Sequence, residues 1–234
     1  MDRLTRKQLK SDKFALEVQH SVEYISEHRR LMTQGGAIAA AVVLIVGGIY
    51  LYRNHQQTVR EEALHNAMLI QNSTVGASPS QYVVSFPTAQ ARKTAVLKAW
   101  QDLAAKYPGT DESEIADYFL GTNAADDGNL PEAVKHFQAA INNGEGPYAS
   151  EAKLSLAQVY AGEGKVNEGA KLIQSIIDHP TVLVSKDEAT LVLANLIENS
   201  DPKRAKKLIE PLRTSTRSAV SKAAITLDAS LSQR

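Results

Sequence analysis

The sequence contains no cysteine, which excludes disulfides, thiolate metal sites and cysteine nucleophiles together. Aromatic residues make up only 6% of the chain, and its 26 basic residues balance its 26 acidic ones. Nucleic-acid binding calls for a basic domain with stacking aromatics, so we expect no nucleic-acid partner. Alternating β-branched runs are also lacking, while Ala and Leu are abundant, and this composition predicts an all-α fold.

Sequence motifs for catalysis and metal binding are missing as well. None of the six histidines has H-E-x-x-H or comparable ligand spacing, and we expect each of them, including His136, to face solvent. The acidic stretch at residues 126–129 lacks the alternating oxygen ligands and closing glutamate of an EF-hand. No phosphate-binding glycine loop and no Gly-x-Ser-x-Gly elbow occurs. We therefore expect no enzyme activity, no catalytic residues, no metal and no cofactor.

One uncharged, proline-free run, residues 35–52, stands out from this polar background. As a helix rising about 1.5 Å per residue it spans roughly 27 Å, close to the roughly 30 Å hydrocarbon core of a bilayer. A helix buried in a protein core normally keeps a polar stripe. A cleaved signal peptide is followed by a small-x-small site. Neither pattern is found here, so residues 35–52 are predicted to be a single transmembrane helix in the lipid bilayer.

The distribution of basic residues predicts the orientation of this helix. Residues 1–34 contain seven Lys and Arg, whereas only Arg53 and Arg60 lie within about 20 residues of its other end. We expect a cytoplasmic amino terminus and an exported carboxy-terminal domain, which in a bacterium means the inner membrane and the periplasm. Residues 1–34 form a predicted amphipathic leader, which lies either on the inner leaflet or in solvent.

Beyond the run, the sequence predicts three further segments. Residues 53–88 contain an anchor-proximal helix, with Val59, Ala63, Ala67 and Ile70 on one face, followed by a Ser/Pro-rich loop. We expect residues 82–84 of that loop to pack against the body of the protein. Residues 89–216 form a repeat domain, and residues 217–234 form a helix whose apolar side closes it against water.

The repeat is visible as recurring residues. Leucines precede small residues at Leu120, Leu156 and Leu193, which are 36 and 37 positions apart. Four further pairs match at a spacing of 36, namely Gly128 with Gly164, Glu132 with Glu168, Phe137 with Ile173 and Ala140 with Ile176. In the third copy Asp201 is placed to cap a helix that begins at Pro202. Each unit is therefore predicted to be a helix, a tight turn and a second helix.

This pattern resembles the tetratricopeptide repeat. The matching positions of the first copy are Leu120, Gly121, Ala133, Phe137 and Ala140, with Gly128 at the turn. The second copy has Gly169 where the motif has Ala, and the third keeps little beyond Ala194, Ala205 and the spacing. The resemblance implies an α-solenoid in which small residues let paired helices approach and large ones fill the space between units.

The same resemblance implies a groove lined by the first helix of each unit. The motif's groove positions fall on Tyr118, Thr122, Leu154, Gln158, Leu191, Asn195 and Glu198. A mixture of apolar and amide groups suits a protein partner that presents an extended peptide or a helix.

Residues 20–212 also resemble a narrower bacterial family, the inner-membrane tetratricopeptide proteins similar to the ancillary subunit of the SecYEG translocon. The resemblance rests on the glycine-bearing run that ends in aromatics and Arg53, on the helix with Glu61 and Glu62, and on the repeat pairs. It implies a periplasmic domain that meets exported chains, translocon subunits and periplasmic chaperones. The leading hypothesis is a non-enzymatic membrane-tethered scaffold.

Two alternatives remain. The first is a structural subunit of an envelope complex, assembled through small residues of the transmembrane helix such as Gly36 and Ala40. The second is a regulatory subunit of an enzyme, which would co-purify with that enzyme in a fixed ratio.

Overall fold

The computed structural model describes residues 29–77, 80, 82–143 and 146–233. Most of the predicted leader, residues 1–34, therefore lies outside the described residues. The chain divides into two compact units, Met1–Val59 and Arg60–Arg234.

Apart from one pair of two-residue strands, the regular structure in the described ranges is helical, which confirms the predicted all-α class. In chain order the elements are α1 (Arg29–Gln71), β1 (Thr74–Val75), β2 (Ser85–Phe86), α2 (Ala89–Lys106), α3 (Asp111–Asp126), α4 (Leu130–Asn143), α5 (Pro147–Gly162), α6 (Val166–Asp178), α7 (Lys186–Ile197), α8 (Pro202–Ile209), a 3₁₀ helix (Glu210–Thr214) and α9 (Ser218–Ser232).

The apolar run of the first unit belongs to α1, which continues without a break from Arg29 to Gln71. Its large side chains are exposed rather than packed in a core: Ile38 is 66%, Leu44 75% and Leu51 68% exposed. Within the described residues α1 is the one helix that is long and apolar enough to cross a membrane, judged by length and composition alone. Its most apolar 18-residue window has a mean hydropathy of 2.0 and no buried residue.

In the second unit, the last turns of α1 pack around the single tryptophan. Trp100 of α2 is fully buried, and Ala67 of α1 is 3% exposed in the same cluster, with Ala63 and Ile70 packed against it. The indole Nε1–H of Trp100 donates a hydrogen bond to Gln71 Oε1 at 2.8 Å. These contacts confirm the predicted apolar face of the anchor-proximal helix at Ala63, Ala67 and Ile70.

The segment between α1 and α2 contains a short parallel pairing that the sequence did not predict. Thr74 pairs with Ser85, and Val75 with Phe86. Two residues per strand leave no alternation for a sequence pattern to reveal. The expectation that residues 82–84 pack against the body is wrong for Tyr82, whose side chain is 81% exposed.

Three helical hairpins follow, α3 with α4, α5 with α6, and α7 with α8. Their first helices bury the predicted leucines: Leu120 is 4%, Leu156 2% and Leu193 0% exposed. Gly128 and Gly164 have φ of +73° and +78°, values at which a β-carbon is strained and which glycine commonly adopts at helix ends.

The closing hydrogen bonds of the first two turns also correspond. The Asn129 N–H donates to the Ala124 carbonyl at 2.9 Å, and the Lys165 N–H donates to the Tyr160 carbonyl at 2.7 Å. The two donors are 36 positions apart, and so are the two acceptors. The repeat seen in the sequence is therefore also a repeat of backbone geometry. The third hairpin turns without glycine. There Asp201 accepts a hydrogen bond from the Arg204 N–H at 3.0 Å, as its predicted capping role requires.

Close approach of the paired helices explains two glycines inside them. A β-carbon on Gly121 of α3 would lie 2.6 Å from the ring of Phe137 on α4. A β-carbon on Gly169 of α6 would lie 2.7 Å from the carbonyl oxygen of Ala157 on α5. Gly169, the position at which the second copy differs from the tetratricopeptide motif, thus allows the backbone of α5 to approach α6 closely.

The first two hairpins are joined by a buried carboxylate. Gly146 has no side chain with which to cap α5, and Glu114 of α3 replaces that cap. Its carboxylate accepts hydrogen bonds from the N–H of Gly146 at 3.1 Å and from the N–H of Ala149 at 2.7 Å. Glu114 is 1% exposed. This burial raises the pKa of Glu114, although the backbone hydrogen bonds oppose the rise.

The last helix, α9, packs on α7, α8 and the 3₁₀ helix. Of its predicted apolar side, Ala224 is fully buried, and Val220, Leu227 and Leu231 pack against the core. Ala223, which the pattern placed on the same side, is exposed. The apolar side of α9 is therefore narrower than its composition suggested.

Candidate partner-binding face

The first helices α3, α5 and α7 contact one another in sequence order, α3 with α5 and α5 with α7. Together they form a surface that we call the first-helix face. Its central side chains are Tyr118, Thr122, Ser155, Gln158, Leu191 and Asn195. On each helix these residues are three or four positions apart, the spacing that places side chains on one side of an α-helix.

Two depressions adjoin on this face and share Gln158. The first, of about 370 Å³, lies among α3, α4 and α5 and is lined by Tyr118, Thr122, Ala125, Asp126, Leu130, Phe137, Ser155, Gln158, Val159 and Gly162. The second, of about 440 Å³, lies between α5 and α7 and is lined by Gln158, Ala161, Leu191, Val192, Asn195 and Leu196. Five of the seven residues predicted from the sequence therefore line one continuous surface.

The other two predicted residues lie elsewhere. The side chain of Leu154 is only 7% exposed and belongs to the hydrophobic core. Leu154 directly precedes Ser155 on α5, so its side chain points toward the core and not toward the face. It cannot contact a partner. Glu198 is the carboxy-terminal cap of α7 and lines neither depression. The groove positions of the motif thus coincide with the depressions at five residues and depart from them at Leu154 and Glu198.

Tyr118 connects the face to an aromatic cluster inside the domain. Its ring lies 5.3 Å from Phe119 and 5.3 Å from Tyr148, centroid to centroid, and Phe119 stacks on Trp100 at 4.5 Å. Burial raises the pKa of the Tyr118 phenol, and the nearby charge of Glu151 raises it further. The phenol is therefore a neutral hydrogen-bonding group at physiological pH.

Two acidic residues that sequence reasoning missed lie along the same stripes. Glu151 precedes Gln158 by seven positions on α5, and Glu188 precedes Asn195 by seven on α7, so each lies two helical turns from the depressions on the same side. Burial raises the pKa of Glu151, and the like charge of Glu188 adds to the rise. The i, i+7 spacing was the signal that could have identified them.

The one imidazole with close carboxylate neighbours among the described residues has a structural role. His136 of α4 lies 2.9 Å from Asp117 of α3 through Nδ1 and 3.2 Å from Glu132 through Nε2. Its side chain is 18% exposed, so the expectation that it faces solvent is wrong. Asn143 donates to the same Asp117 at 3.0 Å. These bonds hold α3 against α4.

Within the described residues, no group of three or more His, Cys, Asp and Glu residues is arranged to hold a metal ion. The first-helix face offers hydroxyl, amide and apolar groups, which suit recognition of a protein surface.

Comparison with known proteins agrees with this geometry. The sequence model of the tetratricopeptide repeat-like domain family matches residues 31–182. No curated protein matches the chain. The matched range includes the first two hairpins of the repeat domain, and the third follows them with the same helix-turn-helix arrangement. Domains of this family are typically non-enzymatic interaction modules. Since the match spans well over half of the chain, this protein belongs to the tetratricopeptide repeat-like domain family.

Proposed function

We propose that this protein is a non-enzymatic, membrane-tethered scaffold that binds other proteins through the first-helix face. The observation that carries the proposal is the pair of adjoining depressions around Gln158, on the helices that a repeat domain of this family offers to partners. The partner presents an extended peptide or a helix, whose apolar side chains enter the depressions and whose polar groups bond to Gln158 and Asn195.

The tether in this proposal is the apolar part of α1, residues 35–52. Its exposed Val, Ile and Leu side chains would be costly to leave in water, at about 25 cal/mol per Å² of apolar surface, whereas a bilayer accommodates them. Confinement to a membrane raises the effective concentration of a weak binding site for partners at the same surface.

The location and the partners follow from basic-residue bias and from family resemblance. The excess of Lys and Arg before residue 35 supports a cytoplasmic amino terminus and a periplasmic repeat domain, in a single-pass protein of the bacterial inner membrane. There the first-helix face would meet exported chains, translocon subunits and periplasmic chaperones.

A double substitution tests the scaffold role. Gln158→Arg with Asn195→Arg places two long charged side chains at the depressions. Both residues are exposed, so we expect the fold to survive. After crosslinking in cells, co-purifying proteins should be lost from this variant and retained by Lys171→Glu, an exposed change on α6. Unchanged co-purification with the double variant, at wild-type thermal stability, contradicts the proposal.

The structural-subunit alternative makes the opposite prediction. If the protein assembles an envelope complex through its transmembrane helix, Gly36→Leu should abolish the assembly because the enlarged side chain separates the helices. Substitutions on the first-helix face should then have no effect on co-purification.

A further inference from the structure

The charged side chain that lines the two depressions of the first-helix face is acidic. Among the described residues that line its two depressions, Asp126 is the one charged side chain, and neither Lys nor Arg is present. Glu151 and Glu188 continue the same helical stripes on α5 and α7. The face therefore combines apolar depressions with carboxylates on the same helical stripes, although the chain as a whole has no net charge.

Glu151 and Glu188 occupy matching positions on α5 and α7, two helices that contact each other, and each precedes by seven positions a residue that lines the second depression. The like charge of Glu188 also contributes to the raised pKa of Glu151. In the part of the chain that the structure describes, neither carboxylate lies within 4.0 Å of a Lys, Arg or His nitrogen. The nearby Arg217 is engaged by Asp187 at 3.5 Å. Two like charges on adjacent helices repel, and a cation placed at both would remove that repulsion.

Apolar contact surface is available one helical turn away. Leu191 and Val192 follow Glu188 by three and four positions on α7, and both line the second depression. Side chains at these spacings are neighbours on a helix surface, about 5–6 Å apart between β-carbons. A ligand that meets the carboxylates with a cation therefore has an apolar depression next to it.

We propose that the first-helix face selects a partner segment in which a Lys or Arg enters between Glu151 and Glu188 while adjacent apolar side chains fill the depression at Leu191 and Val192. This inference rests on the proposed function and specifies the chemistry of the partner. The carboxylates attract basic segments and reject acidic ones, so they determine specificity, whereas the apolar depression contributes contact area.

Selection from a random peptide library tests this preference directly, because every peptide sequence competes for the same face. The full chain, reconstituted in nanodiscs, is the target, and the probe is a phage-displayed library of random 12-residue peptides. We expect the enriched peptides to contain a Lys or Arg within four positions of Leu, Ile, Val or Phe. The double variant Glu151→Gln with Glu188→Gln should bind the selected peptides about tenfold more weakly, as expected for the loss of a partly buried charge contact.

The control variant removes the same amount of charge elsewhere. Glu168→Gln with Glu210→Gln changes two exposed carboxylates, on α6 and on the 3₁₀ helix, and should leave peptide binding within twofold of wild type. If enriched peptides lack basic residues, or bind the Glu151/Glu188 variant as well as wild type, the inference is overturned.

A second variant distinguishes an error in the proposed selectivity from an error in the proposed function. Peptides that bind through the first-helix face should no longer bind the double variant Gln158→Arg with Asn195→Arg. If that variant loses peptides that carry no basic residue, the face is a binding site without the proposed selectivity. If no peptide is enriched on wild type, or every peptide survives the double Arg substitution, both proposals are wrong.

Discussion

Replacing Glu114 by Ala should uncouple the first two hairpins. The wild-type carboxylate accepts hydrogen bonds from Gly146 at 3.1 Å and from Ala149 at 2.7 Å. The Ala149 N–H also approaches the Gly146 carbonyl at 3.2 Å, so the clearest loss is the bond to the Gly146 N–H. Losing a helix cap costs about 0.5–2 kcal/mol, and an unsatisfied buried amide costs about 1–3 kcal/mol.

Part of this cost is offset, because the substitution also removes a carboxylate that burial disfavours. We therefore expect a net loss of about 2 kcal/mol in the free energy of unfolding. For a domain of this size that corresponds to a melting temperature lower by about 4–8 °C.

The single tryptophan provides the assay. Trp100 stacks on Phe119, which lies on α3 together with Glu114, so its fluorescence reports the loss of packing around that helix during urea titration of the full chain. Glu168→Ala, at an exposed position in the first turn of α6, is the control and should cost less than about 1 kcal/mol. Equal urea midpoints for the two variants would refute the capping role of Glu114.

The pKa of Glu114 adds a pH dependence of known sign. Because its folded pKa is raised above the ordinary 4.5, the folded state binds more protons than the unfolded state between the two values. The stability that protonation of Glu114 contributes is complete below the pKa of Glu114 in the unfolded state. It is lost as pH rises through the pKa of Glu114 in the folded state. Glu114→Gln does not titrate, so the variant should gain stability relative to wild type as pH increases from 4.5. A constant difference between the two proteins across this range would contradict the raised pKa.

Two further substitutions test the packing of the helices. Gly169→Ala should lower the free energy of unfolding by about 1–2 kcal/mol, because its β-carbon would meet the Ala157 backbone at 2.7 Å and this cost exceeds the roughly 1 kcal/mol gained in helix propensity. The control Gly162→Ala should not destabilise the protein, because a β-carbon there has nothing within 4 Å. Equal melting temperatures of the two variants would contradict the close approach. Arg92→Ala should lower the free energy of unfolding by about 1–3 kcal/mol and increase hydrogen exchange at the end of α1, because the guanidinium donates a hydrogen bond to the Gln71 carbonyl at 2.5 Å. Unchanged exchange there would contradict a stabilising role of this hydrogen bond.

Local and periodic features of the fold were predictable from the sequence. Gly128 and Gly164 recur 36 positions apart because the same left-handed turn recurs, and Asp201 caps α8 through a contact only three residues away. Such features depend on neighbours in the chain, so spacing reveals them. The same holds for the stripe of α1 that packs around Trp100.

Features that depend on distant residues were not predictable. Glu114 caps a helix that begins more than thirty residues later, and nothing in its neighbourhood indicates a buried carboxylate. Leu154 was placed in the groove by the motif, but the packing of α5 against its neighbours buries it. Glu151 and Glu188 lie on neighbouring helices only because α5 and α7 stack. Tertiary packing, rather than local pattern, determines these positions.

Site-specific photo-crosslinking tests the central claim most directly. A photoreactive residue is placed at Gln158 of the full chain expressed in cells, and the captured proteins are identified. A matched probe at Lys171, on the exposed side of α6, serves as the control. We expect the Gln158 probe to capture translocon subunits, periplasmic chaperones or exported chains and the Lys171 probe to capture none of them. Capture of cytoplasmic proteins, or the same products from both positions, would contradict it.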